Sequence, residues 1–328
     1  MRIHTWWRPR IVVLTIIGMA LVIYTLRAQV PSDANFRDRL EKEGIRWATC
    51  DLTAIGGGVT YTARIPESPL SQSAIRDLTL MKDLTGLTAE NQTFPQAVSA
   101  EFANMKALEG VYFNGVTIAP EQLAGLAQLQ HMTYLIFNGT VTKEHVDRIA
   151  QIRTLQTLDL SHSTVGDDDI VSLHKLPNVQ SLCLWKTQIT NDGLKSLVPL
   201  ESLTSLDVTD TAVGDAGLKQ ISKMKTLQSV SLDSTLVTDE GLEALRGHMS
   251  LTWLSFLGTN ISDDGIRELA TLPKLSFLKL YGRDITDAGL RHLEAVDTLE
   301  ELWLAQTSVT DAGLMRLRNK FPNLIIKK

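Results

Sequence analysis

Cysteine is scarce in this chain, since only Cys50 and Cys183 occur among 328 residues. Two cysteines exclude the disulfide scaffold on which small secreted domains depend. Aromatic residues are also few, at 6%, but hydrophobic residues reach 44% and charged residues 21%. That balance is ordinary for a folded chain and excludes bulk disorder.

Most of the chain carries no excess of positive charge. The formal net charge is −5, and residues 1–30 carry four arginines and no acid, so the remainder holds −5 − 4 = −9. Because phosphate binding requires a basic face, a body with this charge argues against nucleic acid as the partner.

The motifs of common catalytic and metal centres are absent from the sequence. Gly56–Gly58 is not followed by the Lys-Ser/Thr of a phosphate loop and indicates a turn. The sequence has no GxSxG nucleophile elbow and no HExxH, and its histidines lack metal-ligand spacing. No base is paired with Cys183. We expect a protein that is not an enzyme, with no catalytic residue, metal or cofactor.

The only long apolar run is Ile11–Leu26, which contains no charged residue. As a helix it would span roughly 24 Å, slightly less than a ~30 Å hydrocarbon core. Arg2, Arg8 and Arg10 precede it, whereas Arg27 alone follows closely, which predicts a cytoplasmic N-terminus and an exported body. The sequence therefore predicts a single-pass anchor in the cytoplasmic membrane.

A cleaved signal peptide, giving a secreted protein, is the alternative for this segment. Cleavage after Ala28 would place Leu26 at position −3, where a small residue is expected. Cleavage after Ala34 places Ser32 there but lies far from the apolar run. These mismatches favour the anchor, and both alternatives export the body.

A 24-residue repeat dominates the rest of the chain. Leu108 and Met132 continue it upstream with a one-residue deletion, and Leu324 continues it downstream with a one-residue insertion. The central units are marked by apolar residues in six consecutive steps of 24: Leu155, Val179, Leu203, Leu227, Leu251, Leu275 and Leu299.

Each unit divides into a strand and a helix. In the unit 202–225, Leu203-x-x-Leu206-x-Val208 alternates like a short strand, and Leu218-x-x-Ile221 has the spacing of one helix face. One unit cannot bury its apolar face alone, whereas stacked units can.

The repeat resembles the leucine-rich-repeat family from about Leu108 to Ile326. The TDxGL elements at 238–242 and 310–314 resemble the subclass found in F-box-type and short bacterial members. The resemblance implies an α/β solenoid, or horseshoe, with parallel strands on the concave face and short helices on the convex face. It also implies binding of other macromolecules rather than catalysis.

One column of the repeat departs from the family, whose usual residue there is asparagine or cysteine. A hydroxyl in this turn can bond the loop backbone, so we expect a structural role and a local irregularity at Val116 and Arg283. The column consists of Val116, Thr140, Ser163, Thr187, Thr211, Thr235, Thr259, Arg283 and Thr307.

A second column is acidic and precedes each predicted helix. We expect these carboxylates to cap the helices, where they meet backbone amides and the helix dipole. A cation-binding ladder is the alternative, but one carboxylate per unit supplies few of the six to eight oxygens that calcium takes. The column consists of Asp167, Asp215, Asp239, Asp263, Asp287 and Asp311, interrupted by Asn191.

We divide the chain into an anchor or signal over 1–30, a cap over 31–104 and the solenoid over 105–328. The cap is predicted to hold a hairpin, Ile45–Leu52 with Val59–Ile65, and a possible degenerate repeat in Ile75-x-x-Leu78-x-Leu80. A small separate binding domain is the alternative for the cap. Lys327 and Lys328 are expected to close a last strand at 324–326.

The residues between the apolar strand positions are expected to face solvent on the concave side, the usual binding surface of solenoids. Large aromatics there indicate an interface, and the alternative is that they pack on one another. A smaller apolar group comprises Tyr112, Tyr134 and Ile136. The predicted partner-binding residues are Trp185, Asp207, Asp233, Trp253, Leu257, Phe277, Tyr281 and Trp303.

The sequence therefore predicts a recognition module that binds another protein outside the cytoplasmic membrane. Three alternatives stay open: a self-associating structural component of the envelope, a glycan-binding solenoid, and an intracellular F-box-like adaptor. No recognisable F-box precedes the repeats, and the apolar run argues against a cytosolic location. Both observations weaken the last alternative.

Overall fold

The computed structural model describes residues 40–51, 59–65 and 71–328. In these residues the strands form one sheet in chain order, in which β1 and β2 are antiparallel and all later neighbours are parallel. The strands are β1 Arg46–Asp51, β2 Val59–Ile65, β3 Leu84–Glu90, β4 Gly110–Asn114, β5 Tyr134–Asn138, β6 Thr157–Asp159, β7 Ser181–Cys183, β8 Ser205–Asp207, β9 Ser229–Ser231, β10 Trp253–Phe256, β11 Phe277–Tyr281, β12 Glu301–Ala305 and β13 Ile325–Lys327.

Short helices connect successive strands and form the second layer. Three of the described connections contain 3-10 helix, at Pro120–Gln128, Ile170–Lys175 and Glu243–Leu245. The α-helices are α1 Gln72–Thr79, α2 Val98–Asn104, α3 Lys143–Ile149, α4 Asn191–Leu197, α5 Asp215–Ile221, α6 Asp239–Leu242, α7 Asp263–Leu269, α8 Asp287–Leu293 and α9 Asp311–Lys320.

The register of the sheet reproduces the sequence repeat. Leu254 pairs with Leu278, and Leu278 pairs with Leu302, in steps of 24 residues. Within one unit, Leu206 and Leu218 are at most 1% exposed, so strand and helix bury the residues that the spacing predicted. Full burial of one such leucine contributes roughly 1.5–3 kcal/mol to folding. The predicted solenoid is confirmed.

The N-terminal region differs in part from the prediction. The hairpin pairing of β1 with β2 is confirmed. The segment Ile75–Leu80 is not a strand, because Ser71 caps a helix there by accepting from the Ala74 N–H at 3.1 Å, and Leu80 is 64% exposed. The repeat strand is β3, whose Leu84 lies 24 residues before Leu108. The sheet continues through β3 and β4 across residues 104 and 105.

The predicted anchor or signal over Ile11–Leu26 lies outside the described residues. None of the helices within 40–51, 59–65 and 71–328 has the length and apolar character that crossing a bilayer requires.

The turn hydroxyls have the structural role predicted for them. The hydroxyl donates to the carbonyl oxygen three residues earlier, for example from Thr235 to Leu232 at 2.6 Å. The same bond recurs at Ser163, Thr187, Thr211 and Thr259.

Four members of the column lack a hydroxyl bond of this kind. The Thr307 hydroxyl oxygen is buried without a hydrogen-bond partner, and the preceding Gln306 keeps the usual φ, at 51°. The backbone responds differently at each of the other three. Before Arg283, the φ of Gly282 is 122°, whereas Ser234 in the equivalent position has φ 52°, so the predicted irregularity is present. Before Val116, the φ of Gly115 is 62°, and the valine side chain is buried, so no such irregularity occurs. The turn at exposed Thr140 deviates unexpectedly, with Gly139 at φ 115°.

Candidate functional site

Three aromatic rings lie side by side on the concave face, and we call Trp253, Phe277 and Trp303 the aromatic row. Trp253 and Phe277 are register partners in β10 and β11, with centroids 5.1 Å apart and planes 9° from parallel. Trp303 in β12 lies 5.9 Å from Phe277 at 54°. All three side chains are partly exposed. The rings thus pack on one another, as one interpretation had it, and still present surface to a partner.

A lysine that the sequence analysis missed completes the row. The Nζ atom of Lys279 lies 4.3 Å from the ring centroid of Trp303, 5.5 Å from that of Trp253 and 5.6 Å from that of Phe277. The available signal was the register, because Lys279 and Trp303 occupy the same column one unit apart.

The C-terminal end of the row is held by polar contacts. The indole N–H of Trp303 donates to Glu301 Oε1 at 2.6 Å, and Lys327 Nζ lies 2.8 Å from the same oxygen. Lys327 also lies 4.3 Å from the Trp303 centroid. Lys327, predicted only to close the sheet, therefore fixes Trp303 as well.

Leu257 and Tyr281 follow the row residues along the chain and are partly exposed. The Tyr281 hydroxyl donates to Gln306 Oε1 at 2.9 Å, and the Leu257 N–H donates to Asp233 Oδ1 at 2.7 Å. Both residues stay predicted members of the binding surface at the edge of the row.

Trp185 lies apart from the aromatic row. It follows β7, and strands β8 and β9 separate β7 from β10. Its ring packs edge-on against His162, with centroids 4.4 Å apart and planes at 74°. A partner that contacts both Trp185 and the row must therefore span the middle of the sheet.

Asp207 and Asp233 are buried, each only 7% exposed, although the alternation of the strand places them on the solvent side. The reason is that each carboxylate bends back onto a turn: Asp207 Oδ1 accepts from the Thr209 N–H at 2.9 Å. Asp233 Oδ1 accepts from the Ser255 hydroxyl at 2.5 Å as well as from Leu257. Desolvation by burial raises the pKa of both carboxyls.

Cys183 lies between two acids, since it pairs in register with Asp159 on one side and Asp207 on the other. Burial, followed by the two carboxylates, raises the pKa of the thiol above its ordinary value. The thiol is therefore protonated at neutral pH, and a nucleophilic thiolate is disfavoured.

The smaller apolar group lies at the other end of the sheet. Tyr134 is 39% exposed, and its ring borders Gly110, where an added Cβ would lie 3.3 Å from Cδ1 of the ring. Burial of the hydroxyl and the nearby Asp159 raise the pKa of Tyr134 to about 12. Tyr112 and Ile136 are register partners beside it.

The acidic column on the helix side joins neighbouring repeats. Five aspartates accept from the next repeat twice: a backbone N–H reaches Oδ1 at 2.7–2.9 Å, and a hydroxyl reaches Oδ2 at 2.6–2.8 Å. We call this arrangement the clamp. Its pairs are Asp167–Thr190, Asp215–Thr238, Asp239–Ser262, Asp263–Thr286 and Asp287–Thr310.

The capping prediction was thus wrong about the helix involved. Asp263 is the first residue of α7, whose cap is the preceding Ser262, and its carboxylate binds the cap residue of α8. The carboxylate oxygens are used by protein donors. Among the described residues, no group of three or more His, Cys, Asp or Glu is arranged to hold a metal ion.

Comparisons with known proteins agree with this architecture. A family model described as leucine-rich repeat matches residues 151–173 and 200–222. Among solved structures, an internalin from Listeria monocytogenes str. 4b F2365 is similar, with a TM-score of 0.53 and 17% identity over 81% of this chain and 86% of that chain. The comparison with curated proteins gave no match. In its repeat sequence and its fold, the chain is therefore similar to leucine-rich-repeat proteins.

Proposed function

We propose that this chain is a non-catalytic recognition module that binds another protein through its concave face, with the aromatic row as the anchor. The module acts on the outer side of the cytoplasmic membrane, tethered by the segment Ile11–Leu26. The apolar run and the arginine asymmetry around it support this location.

The observation that carries the proposal is the aromatic row itself. Three large rings are partly exposed on adjacent strands β10, β11 and β12, within contact distance of one another. Aromatic side chains that lose water on binding dominate the energy of protein interfaces, and stacking holds these rings in place before a partner arrives. Solenoids of this kind generally bind proteins through such extended surfaces.

Site-specific photo-cross-linking tests the proposal. A benzophenone amino acid replaces Phe277 in the full-length chain expressed in its native host, and in a second protein it replaces Met315, which is 64% exposed on α9. We expect a cross-linked protein from position 277 and not from position 315. The captured protein is identified by mass spectrometry and purified.

Direct titration with the purified partner then measures how much the aromatic row contributes to the affinity. Trp253→Ala/Trp303→Ala is expected to weaken binding at least about 30-fold, because one hot-spot side chain contributes about 2 kcal/mol or more. Met315→Ala, an apolar truncation on the helix side, should leave Kd unchanged. Circular dichroism and urea midpoints establish that the variants fold. Equal affinity of parent and double variant refutes the proposal, and capture of a second copy of this chain favours the self-associating alternative.

A further inference from the structure

The ammonium group of Lys279 has unused hydrogen-bonding capacity. It lies within 4.3–5.6 Å of the centroids of all three rings of the aromatic row. In the described part of the chain, it forms no hydrogen bond and no ion pair. The rings stabilise the positive charge through their faces, but they leave its three N–H donors available to another molecule.

The carboxylates nearest to Lys279 already have other hydrogen-bond or ion-pair partners. Glu301 accepts from the Trp303 indole and pairs with Lys327. Asp233 is buried and accepts from a hydroxyl and a backbone N–H. The Lys279 charge acts on both carboxylates from a distance and favours their ionised forms, although burial still raises the pKa of Asp233.

Charge on the concave face is ordered along the sheet. Asp159 and Asp207 lie in β6 and β8, in the middle of the sheet. At the end that carries the aromatic row, Lys327 of β13 is paired with Glu301 of β12, and Lys279 of β11 has no ion-pair partner among the described residues. A negatively charged segment is therefore repelled from the middle and attracted to the row.

We propose that the aromatic row and Lys279 bind an acidic segment of the partner protein. An aspartate or glutamate carboxylate of that segment accepts from the Lys279 ammonium, and an adjacent apolar side chain packs against Trp253 and Phe277. Lys279 is partly buried beside the rings, and a hydrogen bond between two charged groups is stronger than one between neutral groups. This inference rests on the proposed function and adds the chemistry of the partner.

Selection of peptides tests the inference without knowledge of the partner. A phage library of random dodecapeptides is selected on the immobilised full-length parent, on Lys279→Gln and on Trp253→Ala/Trp303→Ala. We expect the parent to enrich peptides with Asp or Glu beside a large apolar residue. Lys279→Gln removes the charge but keeps a polar side chain only one atom shorter, and it should lose the acidic preference but retain apolar binders. The double variant should lose both.

One enriched peptide is then synthesised and titrated by fluorescence anisotropy. Lys279→Gln should weaken its binding at least about tenfold, and Lys279→Arg, which keeps the charge, should restore most of it. Enriched peptides that require the tryptophans but carry no acid, or bind equally to Lys279→Gln, overturn this inference and leave the proposed function standing. Failure to enrich any peptide that requires the tryptophans overturns both.

Discussion

Asp263 and Thr286 lie in neighbouring repeats and are joined by two hydrogen bonds, from the Thr286 N–H to Oδ1 at 2.8 Å and from its hydroxyl to Oδ2 at 2.6 Å. Both oxygens of one carboxylate are thus used to fix the start of the next helix. The clamp explains why a threonine and an aspartate stand next to each other in the repeat. The threonine donates to the aspartate of the preceding unit, and the aspartate accepts from the threonine of the following unit.

The exceptions in the sequence follow the same rule. Where Asn191 replaces the aspartate, the next cap residue is Gly214, whose N–H donates to Asn191 Oδ1 at 2.8 Å and which has no hydroxyl to place. Where Lys143 replaces the aspartate, the residue at the equivalent position of the next repeat is Gly166, and the N-cap residue of the next helix is instead Asp169. The hydroxyl is therefore absent after these two units. After the unit whose helix starts at Pro120, the next cap residue is Thr142, whose hydroxyl donates to Glu144 of its own helix instead.

This pairing predicts a favourable coupling between Asn191→Asp and Gly214→Thr. Each single change leaves one group without its partner, and only the double variant forms the second bond of the clamp. We expect a coupling of about 1 kcal/mol in a double-mutant cycle of urea unfolding. A Cβ at position 214 would lie 3.3 Å from the Leu236 carbonyl oxygen, and that cost cancels in the cycle. Additive effects would show that the clamp does not couple the repeats.

The glycine of the TDxGL element is explained by the same contact. A Cβ on Gly193 would lie 2.5 Å from Asp167 Oδ1, and one on Gly217 would lie 2.8 Å from Asn191 Oδ1. At Gly313, the three nearest atoms all belong to Asp287. The carboxylate of the preceding unit therefore occupies the space that a side chain at this position needs.

We predict that Gly313→Ala changes sign with its background. In the parent it should destabilise by about 1–2 kcal/mol, because the added methyl group displaces the clamp. With Asp287→Ala already present, the space is free, and the higher helix propensity of alanine should stabilise α9 by up to about 1 kcal/mol. Thermal unfolding of the four proteins measures both effects. A loss of equal size in both backgrounds would contradict this explanation.

The sequence was sufficient for the fold because the 24-residue period alone requires stacked units with a common core. It was insufficient for contacts between units, because the hydrogen bonds from Thr286 to Asp263 depend on the distance between the starts of successive helices. The pairing of Asn191 with Gly214 carried that information in the sequence. When each unit is interpreted by itself, the aspartate is assigned to its own helix, and the contact with the next unit is missed.

The same limit applies to the candidate site. Alternation placed Trp253, Phe277 and Trp303 on one face, and the structure brings them together. Alternation also placed Asp233 in solvent, but a short carboxylate can turn toward the N–H of the neighbouring strand's turn. A period-two pattern gives the side of the sheet and not the direction in which a flexible polar group bends.

The turn hydroxyls offer a matched pair for measurement. Thr235 is buried and donates to the Leu232 carbonyl, whereas Thr140 in the same column is exposed and forms no bond of this kind. Thr235→Val keeps the shape and removes the donor, so it should cost about 1 kcal/mol in free energy of unfolding. Thr140→Val should cost less than half of that in the same urea titration. Equal costs would indicate an effect of the side chain on the turn rather than of the bond.

Burial of Asp233 predicts that its ionised carboxylate lowers the free energy of unfolding at pH 7 and that this loss disappears at lower pH. Desolvation raises its pKa in the folded state above the ordinary value near 3.8, so the ionised carboxylate costs stability at pH 7. That cost fades as the pH falls through the raised pKa. Asp233→Asn keeps an acceptor for the Leu257 N–H and removes the charge. The variant should therefore unfold at higher urea than the parent at pH 7, with the difference shrinking toward pH 4.

Asp287 supplies the opposite case within the same protein. Hydrogen bonds from the Thr310 hydroxyl and backbone lower its pKa, so its ionised form stabilises the fold above the ordinary aspartate value. Asp287→Asn should be less stable than the parent at pH 7, and this deficit should shrink only as the pH falls below about 4. Urea titrations of the parent and both variants at several pH values show whether the two substitutions change the free energy of unfolding in opposite directions. Differences of the same sign at pH 7 would show that desolvation does not dominate at Asp233.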